Sequence, residues 1–382
     1  MQVSRLIVCW TLTSAYMAIS AKGYSTKISK IIRNADRDGL DLPSLPFADA
    51  AFRSIEAIQD TVASLPYIDF SNATRVDVHI HAVPDFYRAL VPLTGEKPTP
   101  AWDLATHLSF MANNSIAHGI LSISTPGSAV YPGNQAASTG IARLLNEWLA
   151  ELAKALPQRF GFYSVAPLPY VNAALKESKY GLTELGAKGI NLLTNHEGLY
   201  LGNPALQPFF EALNAKNQSI ALFVHPTLPM QRINGTLVTS NPTIYMAGLV
   251  EFYFETARTL MDLTLTQTLM NYTNLKYIFN HCGGAYPSIE DRYLRSSLNL
   301  LQSATQVYNT RIWYDSAGPT YFAQVKGLLA YHVPTSQLVF GSDYPYGRIY
   351  EPAFAAIQAA DFLSSQEKTA IFSTNWRAIF GI

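Results

Sequence analysis

The 382-residue chain is short of charge, of cysteine and of basic clusters. Charged residues make up 14% of it, against about 25% in a typical soluble domain. Lys and Arg number 27, as do Asp and Glu, so the formal net charge is zero. A neutral chain without a basic tract lacks the electrostatic footprint of a nucleic-acid binder. Two cysteines, Cys9 and Cys282, cannot build a disulfide scaffold. No G-x-S-x-G elbow is present for a serine nucleophile. Nothing in the sequence supports a membrane partner. What the chain does have is 48% apolar residues, the usual level for a globular core and not the signature of disorder.

Residues 1–20 have the parts of a secretory signal: Arg5, an apolar run from Leu6 to Ala18, and the small-x-small site Ala18-Ile19-Ser20. The run falls short of the roughly 18 unbroken apolar residues of a membrane span. The alternative is an ordinary buried N-terminal helix. Five N-x-[ST] sequons, at Asn72, Asn113, Asn217, Asn234 and Asn271, suit a secreted glycoprotein. Secretion or the secretory pathway is therefore the expected location, with the cytosol as the alternative. Residues 21–74 read as an extension packing on a larger domain, with helical spacing at Ile28–Ile32 and Phe47–Val62.

From residue 75 to 382 short β-branched runs alternate with amphipathic stretches, which is the α/β signal. The runs are Val76–Ile80, Ile120–Ser124, Phe160–Ala166, Gly189–Leu193, Ile220–Val224, Leu275–Phe279, Ile312–Tyr314 and Leu338–Phe340. Helices are expected between them, including Trp102–Asn113, Gln135–Leu156, Tyr245–Met270 and Ile289–Gln306. Thr227–Pro242 reads as one long loop. Eight such units predict a (β/α)8 TIM barrel with loop insertions. The rival, a doubly wound sheet, favours a Gly-rich loop after its first strand. Here that strand ends in Val78-His79-Ile80-His81-Ala82, which argues against NAD.

Active sites of such barrels lie at the C-terminal ends of strands. Histidines recur there: His79 and His81 on the first strand, His225 on the fifth, His281 on the sixth. Asp343 follows the eighth. Residues i and i+2 of a strand share a face, so His79 and His81 can reach one metal. His225 and Asp343 complete a mixed N/O set suited to zinc, with manganese or iron as alternatives. His107 and His118 read as structural, the latter just ahead of the second strand, and His332 as solvated. His196, at the end of the fourth strand, fits a substrate-contact or a structural role. Cys282 is expected to be a buried, inert thiol.

Val76-Asp77-Val78-His79-Ile80-His81, His225-Pro226, His281-Cys282-Gly283-Gly284 and Gly341-Ser342-Asp343-Tyr344-Pro345 resemble the amidohydrolase superfamily branch that contains aminocarboxymuconate-semialdehyde decarboxylase. Within it, the stretches Leu192–Gly202 and Leu249–Arg258 are most similar to fungal 6-methylsalicylate decarboxylases. The resemblance implies a divalent metal, usually zinc, on His79, His81, His225 and Asp343. It implies His281 as a catalytic group beside the metal, with Asp343 the other candidate acid. It places Arg292 in the substrate-carboxylate machinery, sometimes across a subunit boundary, and Trp102 in the pocket wall. The implied reaction is non-oxidative decarboxylation of a small aromatic carboxylic acid, 6-methylsalicylate to 3-methylphenol and CO2, in a homodimer. The alternative on the same barrel is a metal-dependent hydrolase of a lactone or amide.

Overall fold

The computed structural model describes residues 23–216, 218–295, 298–318, 321–349 and 353–382. The expected leader at 1–20, with Cys9, lies outside the described residues, as does Asn217. Eight parallel strands form one sheet in chain order: Arg75–His81, Ile116–Ser122, Phe160–Val165, Gly189–Leu193, Ile220–His225, Leu275–Phe279, Ile312–Asp315 and Leu338–Val339. All eight coincide with the predicted runs to within a few residues. The second departs most: it begins at Ile116, so His118 lies inside it. The runs are continuously apolar because both faces of each strand are covered. Inside, Val78, Ile120, Tyr163, Phe223, Ile278, Trp313 and Val339 pack together, joined by Ile379 of the C-terminal helix Trp376–Phe380. Outside, a second cluster joins strands to helices.

The eighth strand returns to the first. Val78 N–H donates to the Phe340 carbonyl (3.0 Å), Asp343 N–H to His79 (2.9 Å) and His81 N–H to Tyr344 (2.7 Å). These bonds close the barrel and bring Asp343 beside the two histidines. The first strand itself carries a β-bulge. Asp77 pairs with Gly119 and Ile80 with Leu121, so two residues, Val78 and His79, face one. Val78 then joins the inner core and Ile80 the outer one. A bulge leaves ladder groups unpaired, and here both are satisfied. The His79 N–H donates to Asp77 Oδ1 (2.9 Å) and the Val78 carbonyl accepts from the Tyr163 hydroxyl (3.1 Å).

One loop and two helices differ from expectation. The stretch Thr227–Pro242 carries a hairpin, Met230–Ile233 with Thr236–Thr239. Its turn is Asn234-Gly235, both at positive φ (49° and 82°), as a two-residue hairpin loop requires. The helix expected over Tyr245–Met270 starts only at Glu251 and runs to Leu265. The preceding backbone N–H groups are spent elsewhere: Ala247 on Glu96 Oε2 (2.7 Å) and Gly248 on the Gly95 carbonyl (3.1 Å). Glu96 and Gly95 form the turn of a short hairpin, Leu93–Thr94 with Lys97–Pro98, in the loop after the first strand. The helix expected over Ile289–Gln306 is two, Glu290–Leu294 and Leu298–Tyr308. Among the described residues no helix is long and apolar enough to cross a membrane.

The N-terminal extension supplies helices Thr26–Arg37 and Ala48–Ala63, whose apolar faces (Ile28, Ile31, Ile32; Phe52, Ile55, Ile58) enter the outer core. A buried ion pair fastens it. Arg143, fully buried on helix Gln135–Ala155, bonds Glu177 of helix Val171–Thr183 (Nε to Oε1 2.9 Å) and Asp38 of the extension (2.6 Å). Its guanidinium also stacks 4.0 Å over the Tyr180 ring. Removing one partner of a buried pair strands the other. Arg143→Met is expected to cost about 3–5 kcal/mol in denaturant unfolding. Asp38→Asn, at the half-exposed end of the triad, is expected to cost about 1 kcal/mol or less.

Candidate metal centre

Four side chains from three parts of the chain meet at the C-terminal end of the barrel. His79 Nε2 lies 3.1 Å from His81 Nε2. Asp343 Oδ1 lies 3.3 Å from the first and 3.2 Å from the second. With His225, one donor atom from each residue falls within 4.8 Å of every other. The remaining ring nitrogens fix the orientation. His79 Nδ1 faces Asp315 Oδ2 (2.9 Å), and His225 Nδ1 the Pro226 carbonyl (2.7 Å). His81 Nδ1 faces Ser122 Oγ (2.9 Å), whose own proton goes to the Ile80 carbonyl. Each imidazole thus spends its N–H outward and turns a lone pair toward the common point. Three lone pairs and a carboxylate oxygen around one point repel each other unless a cation lies between them, so the residues fit a divalent metal.

The electrostatics agree for two of the three imidazoles. Burial presses the charged forms of His81 and His225 down, the latter well below the ordinary histidine value. Burial also opposes charge on His79, but Asp315 and Asp343 outweigh it and lift that group to about 10. A metal ion must displace that proton on binding. Asp343 is held well below the usual carboxylate range: burial opposes its charge, and bonds from His281, His79 and His81 overcome it.

His281 stands beside this set, its Nε2 3.7 Å from Asp343 Oδ2. Its Nδ1 is buried and without a hydrogen-bond partner among the described residues. Both His281 and Cys282 have positive φ (53° and 52°), followed by Gly283 and Gly284. This tight turn swings the histidine into the cavity and the cysteine out of it. At Gly284 a Cβ would meet the Tyr253 carbonyl at 2.3 Å, so only glycine fits. Cys282 Sγ donates to the Asp315 carbonyl (3.2 Å), and burial pushes its thiol well up, as an inert thiol requires.

Above the donors opens a cavity of about 560 Å3, with His225, His281 and Asp343 in its floor. A family model described as amidohydrolase matches residues 76–382. The chain belongs to the amidohydrolase family. Decarboxylase yanB of Aspergillus niger is 33% identical over 228 residues, covering 57% of this chain and 61% of that protein. The 6-methylsalicylic acid decarboxylase of Penicillium expansum is 29% identical over 310 residues, covering 77% and 90%. A crystal structure of an amidohydrolase II superposes with a TM-score of 0.73 at 26% identity, over 81% of this chain and 100% of that one. A dihydroxybenzoic acid decarboxylase from Polaromonas sp. JS666, crystallised with manganese and 2-nitroresorcinol, gives 0.65 at 20% identity, over 81% and 97%, and shows the shared fold. With these relatives the amidohydrolase-family chain falls in the decarboxylase branch and is a carboxy-lyase of that kind.

Not every predicted site residue reaches the cavity. Arg292 is exposed on helix Glu290–Leu294 and is absent from the cavity lining. Trp102 also lies outside it. Its Nε1 donates to His107 Nδ1 (2.9 Å), its ring packs 5.5 Å from Trp148, and it lines a groove under the N-terminal extension. His196 is buried and neutral, held by burial at about 3, and its Nε2 accepts from Leu193 N–H (3.2 Å). It pins the end of the fourth strand. Sequence reasoning missed Asp315, although it ends a strand as the histidines do. It also missed Lys97, the single lysine or arginine among the described residues lining the cavity, because a two-residue hairpin strand carries no periodicity.

Asp315→Asn keeps the volume but replaces an acceptor of the His79 proton. We expect metal affinity to fall about 10–100-fold, read by competitive chelation titration, while circular dichroism stays unchanged.

Proposed function

We propose that this carboxy-lyase removes CO2 from a hydroxybenzoate, with 6-methylsalicylate, giving 3-methylphenol, as the first substrate to try. The observation that carries the reading is the convergence of three outward-anchored imidazoles and Asp343 beneath a cavity that also holds His281. The 6-methylsalicylic acid decarboxylases of Penicillium expansum and Aspergillus aculeatus among its relatives support the substrate. His79, His81, His225 and Asp343 would hold the metal. We propose zinc first, on the imidazole-rich donor set, and manganese second. When bound, such an ion supplies Lewis acidity and a template for a carboxylate and its neighbouring phenolic oxygen.

The chain's own residues supply the rest. The hard step places a proton on the ring carbon that bears the carboxylate, breaking aromaticity. His281 and Asp343 face each other at 3.7 Å on the cavity floor and can hold that proton between them. Asp343 is engaged with three histidines, whereas His281 Nδ1 has no partner among the described residues. We therefore assign delivery to His281. The C–C bond then breaks, its electron pair restores the ring, and CO2 leaves. Lys97 offers a cation at the cavity wall to the incoming acid.

Two further proposals come from the sequence. In a homodimer, Arg292 would reach toward a neighbouring subunit's site, which its exposure allows. A secretory route is supported by the exposure of Asn72, Asn113, Asn234 and Asn271, the four sequon asparagines among the described residues. A mass shift on glycosidase treatment checks it.

Incubation with a hydroxybenzoate panel should release CO2 and the matching phenol in equal amounts. Ring opening of a lactone without CO2 would instead establish the hydrolase alternative. His281→Asn is expected to retain its metal by elemental analysis while kcat falls by about 10²–10⁴. Asp343→Asn should lose turnover and metal together.

A further inference from the structure

The cavity is larger than a methylated salicylate requires. It measures about 560 Å3, whereas a pocket of about 150 Å3 accommodates benzene. The surplus space has a distinct chemistry. The floor is polar, with His225, His281 and Asp343. The outer wall is mainly apolar, with Pro98, Pro100, Met246, Leu249 and Phe252, and carries Lys97 beside Pro98. Thr94, also on that wall, has its hydroxyl engaged by Thr99 (2.8 Å).

The apolar wall continues to the surface. Met246 and Leu249 line the cavity yet are 42% and 45% exposed, and the adjoining Ile244 and Tyr245 are more exposed still. Single exposed apolar residues are ordinary, but a contiguous patch at a cavity mouth marks a binding surface. The wall is also fixed in place. Glu96 Oε2 accepts from Ala247 N–H (2.7 Å) and Gly248 N–H donates to the Gly95 carbonyl (3.1 Å), which ties it to the hairpin after the first strand.

Resting on the decarboxylase reading, we infer that the preferred substrate carries an apolar chain of several carbons on its ring. The carboxylate and phenolic oxygen face the metal donors. The opposite ring edge then faces Phe252, and the chain lies along Pro98, Met246 and Leu249 toward the mouth.

The test compares decarboxylation of salicylates bearing methyl, propyl or pentyl at the 6-position, and of the matching 4-substituted series. Each methylene sheltered by the wall should raise kcat/KM about fourfold in one of the series, so pentyl exceeds methyl by roughly 200-fold on that figure. Leu249→Asp and Met246→Asp should each pull the pentyl-to-methyl ratio toward one. Turnover of the methyl compounds with flat or falling values along both series overturns this inference alone, as it would if a second copy of the chain covered the wall. A ratio untouched by both substitutions overturns it as well. No turnover of any compound overturns the decarboxylase reading and this one with it.

Discussion

One buried carboxylate, Asp315, holds three strand ends in a single arrangement. It ends the seventh strand. It accepts from His79 of the first strand, from the Asn280 amide (2.6 Å) and from the His281 N–H (3.0 Å) after the sixth. Burial alone would make such a group give up its charge. His79 and His281 reverse that and hold it below the usual carboxylate range. The same contacts that keep Asp315 ionised aim His79 at the metal point and bend the chain so that His281 enters the cavity. The candidate metal donor His79 and the proposed proton donor His281 are thus both held by one anion.

The barrel was legible because its strands are short, largely apolar and separated by amphipathic stretches, and each is buried on both faces. The four candidate metal donors were legible because each lies at or just beyond the C-terminal end of a strand. The i, i+2 spacing of His79 and His81 placed them together correctly, even though the bulge ahead of them could not be read from the pattern. What escaped the sequence depended on where the backbone spends its hydrogen bonds. The helix after the fifth strand starts late because Glu96, some 150 residues earlier in the chain, takes the Ala247 N–H. Trp102 was placed in the pocket wall by resemblance; its indole is instead committed to His107 and Trp148. Arg292 sits on the exposed side of a short helix, and no single-chain reading brings it to the floor.

The scarcity of charge in this chain acquires a structural sense. Its buried charges fall in a few clusters: the candidate metal centre, the Arg143 triad, and the Glu197–Arg232 and Glu255–Arg258 pairs, whose carboxylates are buried. The triad fastens the extension, so Asp38 draws residues before the barrel into its stability. Within this chain the cavity is lined by Lys97 and not by Arg292, and an ammonium is a more flexible and more strongly hydrated cation than a guanidinium.

The bulge in the first strand sets a rule about chain length. Between Gly119 and Leu121 the second strand has one residue where the first has two. Deleting a single residue from that pair would restore regular pairing and leave the barrel able to close. Because Val78 and His79 both turn inward, with Ile80 facing out after them, alternation would survive the loss of either one. Deleting Val78 would keep both imidazoles facing in and remove a core side chain, whereas deleting His79 would keep that core and remove a candidate metal donor. An alignment gap here, in any relative of this protein, would separate scaffolds that keep the shape from those that keep the metal.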